Sequence, residues 1–157
     1  MEKLFLLLEL QRRAQEAATR QAFSHIIVNE THKLIAYKQA IFWRLSGDKP
    51  LLERVSGTAI LDEKGPYALS IQTKIKTLLS GVAADKAVSF HAPEAMHQHS
   101  ALIIFKTKED GILGGLWLEN EQAFLPADIP ILEELAFSYA HALALLSARD
   151  QKSIGTF

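Results

Sequence analysis

Between Tyr37 and Leu45 the chain alternates so that Ile41, Trp43 and Leu45 fall on one face and Ala40, Phe42 and Arg44 on the other. A run this rich in aromatic and β-branched residues reads as a central strand. It commits the chain to a sheet, and helical periodicity before it and at the end of the chain supplies elements to shield that sheet.

Residues 2–17 carry Leu4, Leu7, Leu8, Ala14 and Ala18 at helical spacing, while Phe5, Leu6 and Leu10 fall off that stripe. A helix apolar on more than one side wants two partners. Thr19 is the expected cap of a second helix of about 17 residues, running to Ile35. The turn formers Ser46 to Pro50 lead into a more exposed hairpin strand, Leu51 to Ile60. Pro66 suits a first helical turn, with Ile71, Ile75, Leu78 and Leu79 on one face, Lys74 and Lys76 facing elsewhere, and a stop at Gly81. Three more strands are expected over Ala87–His91, Ala101–Thr107 and Ile112–Leu118, the last two joined through Asp110-Gly111. A closing helix starts near Asp128 and turns Ile129, Leu132, Leu135, Ala136, Tyr139, Ala140, Leu143 and Leu146 to the core. Phe137, His141 and Leu145 lie away from that arc.

At 157 residues without repeat or linker, the chain reads as one domain. A chain of this size buries roughly 70% of the surface that its unfolded form exposes, so neither disulfide nor metal is needed for stability. The absence of cysteine removes thiolate catalysis, thioether-linked chromophores, iron–sulfur clusters and Cys-ligated zinc. With 17 basic against 18 acidic side chains, no nucleic-acid surface is expected. The apolar run Leu4–Leu8 is broken by Glu9 and is too short for a signal core. No membrane insertion is expected, and the expected compartment is the cytoplasm.

Glu30 falls inside the apolar arc of the second helix, formed by Ala22, Phe23, Ile26, Ile27 and Leu34. A carboxylate there needs a partner, for which Arg44 or Lys38 is the expectation, and the functional alternative is an acid lining a pocket. His91, His97 and His99 form the one metal-like cluster, weighed against solvated loop histidines around Pro93. His25, Asn29 and His32 make a polar strip, either wet or a pH-responsive contact. Gly114-Gly115 lacks the Lys-Ser/Thr of a phosphate loop and reads as a strand irregularity, with Trp117 filling the space above it. Trp43 and Trp117 are expected in the core, or alternatively lining a cavity. Ser89 and His91 share a strand face, but no glycine elbow or oxyanion element accompanies them, so a catalytic triad is rejected.

The stretch Val28-Asn29-Glu30-Thr31-His32-Lys33-Leu34-Ile35-Ala36-Tyr37-Lys38-Gln39-Ala40-Ile41-Phe42-Trp43 resembles the helix-to-first-strand junction of GAF-like domains found beside HlyD-type membrane-fusion proteins of secretion and efflux systems. Ala136 to Leu146 is similar to the closing helix of that group. The resemblance implies an α/β (α+β), GAF/PAS-like fold. Its central antiparallel sheet has five to six strands, with the terminal helices on one face and a short helix plus loops on the other. It also implies a bacterial regulatory or ligand-sensing module, dimeric through its terminal helices, with a pocket between sheet and covering loops. The Asn-Lys-Phe-Asp-type signature of cyclic-nucleotide binders and the cysteine of bilin binders are missing.

The expected organisation is a dimerising helix over 1–17, a core over 19–149 and a flexible tail over 150–157. The expected role is a non-catalytic sensory module for an unidentified small molecule or a protein partner, with no cofactor and an attached or partner protein of secretion or efflux type. Candidate ligand contacts are Glu30, Arg44, Tyr67, His91 and Trp117. The alternative is an enzyme on the same scaffold using Glu30 or the histidines. A third reading has Phe42, Phe90, Phe105 and the tryptophans filling the interior completely.

Overall fold

Five strands form one antiparallel sheet: β1 (Gln39–Ser46), β2 (Lys49–Val55), β3 (Val88–His91), β4 (His99–Thr107) and β5 (Gly111–Asn120), in the order β2-β1-β5-β4-β3. The computed structural model describes residues 2–57, 62, 64–81, 85–93 and 98–155, with residues 151–155 by backbone only. β1 lies inside the sheet as its double-faced pattern requires. Two tight turns join β1 to β2 and β4 to β5, and each uses a glycine at positive φ, Gly47 at 63° and Gly111 at 70°. β2 begins at Lys49 and is described to Val55, and residues 58–60 of the expected strand lie outside the described residues.

The alternation in β1 sorts two cores. Ala40 and Phe42 join Phe105, Leu116 and Leu118 beneath α1 (Glu2–Glu16), α2 (Arg20–Asn29) and α4 (Asp128–Gly155). Ile41 and Trp43 join Leu102, Ile104 and Trp117 beneath α3 (Pro66–Leu79), whose Ala68, Ile71 and Ile75 are buried. The terminal helices share one face and α3 covers the other, as expected above, with α2 added on the terminal-helix side.

α1 packs through Leu10 and Ala14, with Leu6 and Leu7 partly buried, and not through Leu4 and Leu8, which are exposed. Helical spacing alone does not choose between the apolar sides of this helix. α4 behaves as expected, burying Leu132, Leu135, Ala136, Tyr139, Ala140, Leu143 and Leu146 while Phe137 and Leu145 stay outside. Its segment Asp128–Asp150 is long and apolar enough to cross a membrane, but half of it is buried against the sheet and α1, as in the core helix of a globular domain. The helix continues to Gly155, through positions where a tail was expected from residue 150.

α2 is shorter than its periodicity implies. Thr19 caps it by accepting from the Ala22 amide at 3.0 Å, but the helix stops at Asn29 and a 3-10 turn, Thr31–Lys33, replaces the expected continuation to Ile35. Side chains claim the carbonyls that the next turn would use: the Thr31 hydroxyl donates to Ile27 at 2.7 Å and the Tyr37 hydroxyl to Val28 at 2.5 Å. Asn29 then receives the Gly57 amide at 2.8 Å, tying the helix end to the chain beyond β2.

Gly114 and Gly115 mark a close approach of backbones. A Cβ on Gly115 would lie 1.9 Å from the Ile103 carbonyl oxygen and 2.5 Å from the Trp43 ring. The side chain seated over this pair is therefore Trp43, not Trp117. The register between β4 and β5 slips beside it, with Phe105 opposite Gly114 and Lys106 opposite Ile112, leaving Leu113 as the extra residue of a bulge.

Candidate functional site

α3 and the sheet do not close on each other completely. Between them lies a cavity of ≈ 260 Å³ lined by Pro66, Tyr67, Ile71, Lys74, Ser100 and Trp117, among others. Phe42 and Phe105 fill the other core, so the aromatic residues do not occupy all the interior. The helix brings Tyr67, Ile71 and Lys74 to this side through i, i+4 and i+3 spacing. The strands bring Ser100 and Trp117 through their even alternation with Leu102 and Glu119.

At one end of the cavity the Tyr67 hydroxyl donates to the Glu119 carboxylate and lies 3.0 Å from Gln39 Oε1. Burial, reinforced by the neighbouring carboxylate, pushes the phenol far above its ordinary ionisation range, so it stays a donor. The His91 ring, which does not itself line the cavity, lies nearly parallel to that of Trp117, with centroids 6.4 Å apart and planes 14° from parallel. His91 Nε2 is 2.9 Å from Ser89 Oγ. Burial, and then the charge of Lys74, hold His91 below the usual histidine range, leaving a neutral imidazole near neutral pH.

Three of the five candidate contacts thus meet: Tyr67 and Trp117 line the cavity, and His91 stacks on Trp117. Glu30 and Arg44 do not. Glu30 pairs with Arg13 at 2.7 Å and Lys33 at 3.3 Å, across the sheet from the cavity. Burial pushes its pKa up, but these two cations outweigh that and bring it below the ordinary value. The expected partners are engaged elsewhere, Lys38 with Glu121 at 3.0 Å and Arg44 with Glu53 at 2.5 Å. Glu53 is the extra residue of a bulge, since Phe42 faces Arg54 while Trp43 faces Leu52, and the bulge presents Glu53 to Arg44.

The histidines do not converge. His91 faces Ser100 across the β3–β4 ladder and shares its α3-side orientation, whereas His99, one residue earlier on β4, projects to the opposite face. His97 lies outside the described residues. Among the described residues no group of three His, Asp or Glu side chains is placed to hold a metal ion. In the polar strip, Asn29 Nδ2 donates to the His25 carbonyl at 3.2 Å and His32 packs edge-on against Tyr37.

Lys74, Ser70, Gln98, Ser100 and Glu119 line the cavity without having been singled out in the sequence. Lys74 was expected to face away. Its position three residues after Ile71 is the signal that places it on the inward side.

A five-stranded antiparallel sheet with three helices on one face and a covering helix on the other is the fold of GAF domains. The chain is similar to the GAF domain of a phosphoenolpyruvate-protein phosphotransferase from Acinetobacter, with a TM-score of 0.72 and 13% identity over 96% of this chain and 98% of that one. It is also similar to the GAF domain of a protein assigned as a sensor histidine kinase from Pseudomonas syringae pv. tomato, with a TM-score of 0.69 and 17% identity over 99% and 92%. The chromophore-binding domain of a bacteriophytochrome from R. palustris matches with a TM-score of 0.69 and 13% identity, over 95% of this chain and 62% of that one. At these identities the likeness shows the fold. No protein-family model matches the chain, and no curated protein gives a significant sequence match.

Proposed function

We propose that this chain is a non-catalytic GAF-like sensory or regulatory module that binds a small molecule beneath α3 and pairs with a second copy through α1 and α4. The cavity carries the reading: it is lined by both apolar and polar groups, and it sits on the face of the sheet that the terminal helices leave free. Ligand and partner copy then use opposite faces of one sheet, which lets occupancy on one side bias packing on the other.

The second copy is supported by the outer surface of the helix pair. α1 and α4 lie side by side, with Gln11 donating to Ser138 at 2.8 Å, and both show large apolar side chains outward. Leu4, Phe5 and Leu8 on α1 and Phe137 and Leu145 on α4 are 57–67% exposed. A two-fold contact buries these on both copies at once. The output passes to an attached or partner protein, and the resemblance to domains beside HlyD-type proteins supports one of secretion or efflux type acting from the cytoplasm.

The non-catalytic reading is favoured over the enzymatic alternative because Glu30 is held by two cations away from the cavity and His91 and His99 point to opposite faces, His97 lying outside the described residues. Native mass spectrometry of the purified chain tests the proposed function: a dimer carrying a small molecule supports it. A strict monomer at micromolar concentration, or a chain whose melting temperature no small molecule raises, would sink it.

A further inference from the structure

The outward surface of α4 has a symmetry of its own. Between Glu133 and Arg149 its exposed positions are centred on His141, with Phe137 and Leu145 four residues to either side. Glu134 and Ala148 follow at seven residues, and Glu133 and Arg149 at eight. Every other position in that span is buried or half-buried. Offsets of four and seven keep to one side of a helix, so these residues form a single stripe along it.

The stripe is apolar in the middle and charged at its ends. The His141 ring lies over that of Phe137, with centroids 4.4 Å apart, and its Nδ1 is 2.8 Å from the Phe137 carbonyl oxygen, which can only accept. Nδ1 therefore carries the proton, and the ring is held down as part of the apolar strip. Glutamates stand at the N-terminal end and Arg149 at the C-terminal end. Glu133 also lines a groove with Lys86 and Lys106, so Glu134 is the acid on which the stripe relies.

We propose that two copies pair α4 against α4 in antiparallel order, with the two His141 side chains meeting at the two-fold axis. This rests on the dimer reading above and gives it a direction and a register. A two-fold axis along the helices sets each residue against its own counterpart, acid on acid and Arg149 on Arg149, and like charges repel. A two-fold axis across them sets Phe137 on Leu145 and the acidic end on Arg149, and it opposes the two helix dipoles as well. Because the offsets are the same on both sides of His141, one register makes both exchanges at once. α1 lies against α4 on the side of Ser138, where Gln11 bonds it, so the same axis brings both α1 helices to one side of the seam. There Leu4, Phe5 and Leu8 extend the covered area. With Phe137 and Leu145 they present on the order of 500 Å² of apolar surface per copy, the larger part of the ~800 Å² that each partner gives to a stable interface.

The chain holds no cysteine, so introduced cysteines report the register without background. Two helices in contact bring facing Cα atoms to within about 5 Å, a distance that a disulfide spans. In the full chain, at a concentration where sedimentation gives a dimer, His141→Cys is expected to form a covalent dimer on mild oxidation. Glu134→Cys alone is not, because antiparallel order holds its two copies about 20 Å apart, whereas Glu134→Cys combined with Ala148→Cys is. Charge reversal reads the same register without a covalent bond. Glu134→Arg and Arg149→Glu are each expected to weaken dimerisation by about fivefold, and their combination to restore it. All these positions are exposed, and an unchanged far-ultraviolet circular dichroism shows that the variants are folded.

Self-linking of Glu134→Cys overturns the antiparallel order and leaves the dimer reading standing. A dimer in which His141→Cys does not link and the two reversals do not compensate does the same. A parent chain that stays monomeric removes both.

Discussion

The Thr31 hydroxyl lies 2.8 Å from the Tyr139 hydroxyl, both completely buried, joining the end of α2 to the middle of α4. Thr31 spends its one hydroxyl proton on the Ile27 carbonyl, so Tyr139 is the donor to Thr31. Burial pushes the Tyr139 phenol well above its ordinary range, which keeps that proton in place. Thr31→Val removes the acceptor and strands the phenol, at an expected cost of about 1–3 kcal/mol in chemical denaturation. Adding Tyr139→Phe removes the stranded donor, so the double variant is expected to lose less than the sum of the two singles.

Gly115→Ala is expected to destabilise by about 3 kcal/mol or more, because the added methyl meets the Ile103 carbonyl and the Trp43 ring, neither of which can move without opening the sheet. Thermal unfolding measures it. Gly47→Ala meets no neighbour within 4 Å and has only its positive φ to overcome, so about 1 kcal/mol is expected there.

The contrast between these glycines shows how much of the fold was legible in the sequence. Gly47 and Gly111 announce themselves through flanking turn formers, and the strand faces through a period of two, since both signals are local. The shortening of α2 was not legible, because it depends on Tyr37 reaching back to Val28 from beyond the helix. Arg44 has Glu53 as its partner because of a one-residue bulge in β2, and periodicity assumes a regular ladder. The cavity was partly visible: Tyr67 and Trp117, which line it, and His91, which stacks on Trp117, were in the candidate set, whereas Lys74 was missed because it lies at the margin of an apolar face.

Glu30 has a pKa below the ordinary 4.5, since Arg13 and Lys33 outweigh the opposing effect of burial. A carboxylate lowered in the folded state contributes stability above its unfolded pKa and loses it as pH falls through the folded value. Glu30→Gln is therefore expected to destabilise at pH 7, and the difference from the parent chain should shrink as pH falls below 4.5 and vanish once it is below the lowered folded value. The effect at pH 7 is expected to be no more than about 1 kcal/mol, because Arg13 and Lys33 are 45% and 51% exposed and solvent screens them. Urea denaturation across pH reads both.

His91 works in the opposite direction along the pH axis. Burial, and then Lys74, disfavour its charged form in the folded chain, so the unfolded chain takes up the proton first as pH falls below 6.5. The associated stability is complete above that value and is lost between it and the lower folded pKa. Lys74→Gln is expected to raise the folded His91 pKa in an NMR titration without restoring the full ordinary value, since burial remains.

The paired-helix face makes the last prediction. Phe137 and Leu145 stand exposed on the outside of α4, where an added charge is solvated in the isolated chain but would be buried against a second apolar surface in the proposed dimer. If the proposed dimer forms through this face, Phe137→Glu with Leu145→Glu is expected to convert it to monomer in light scattering while leaving the far-ultraviolet circular dichroism unchanged. Burying a carboxylate against its own copy adds like-charge repulsion across a two-fold axis to the desolvation cost, so the shift should weaken as pH falls and the new acids protonate. A dimer that persists in the double variant at neutral pH would place the contact elsewhere on the chain.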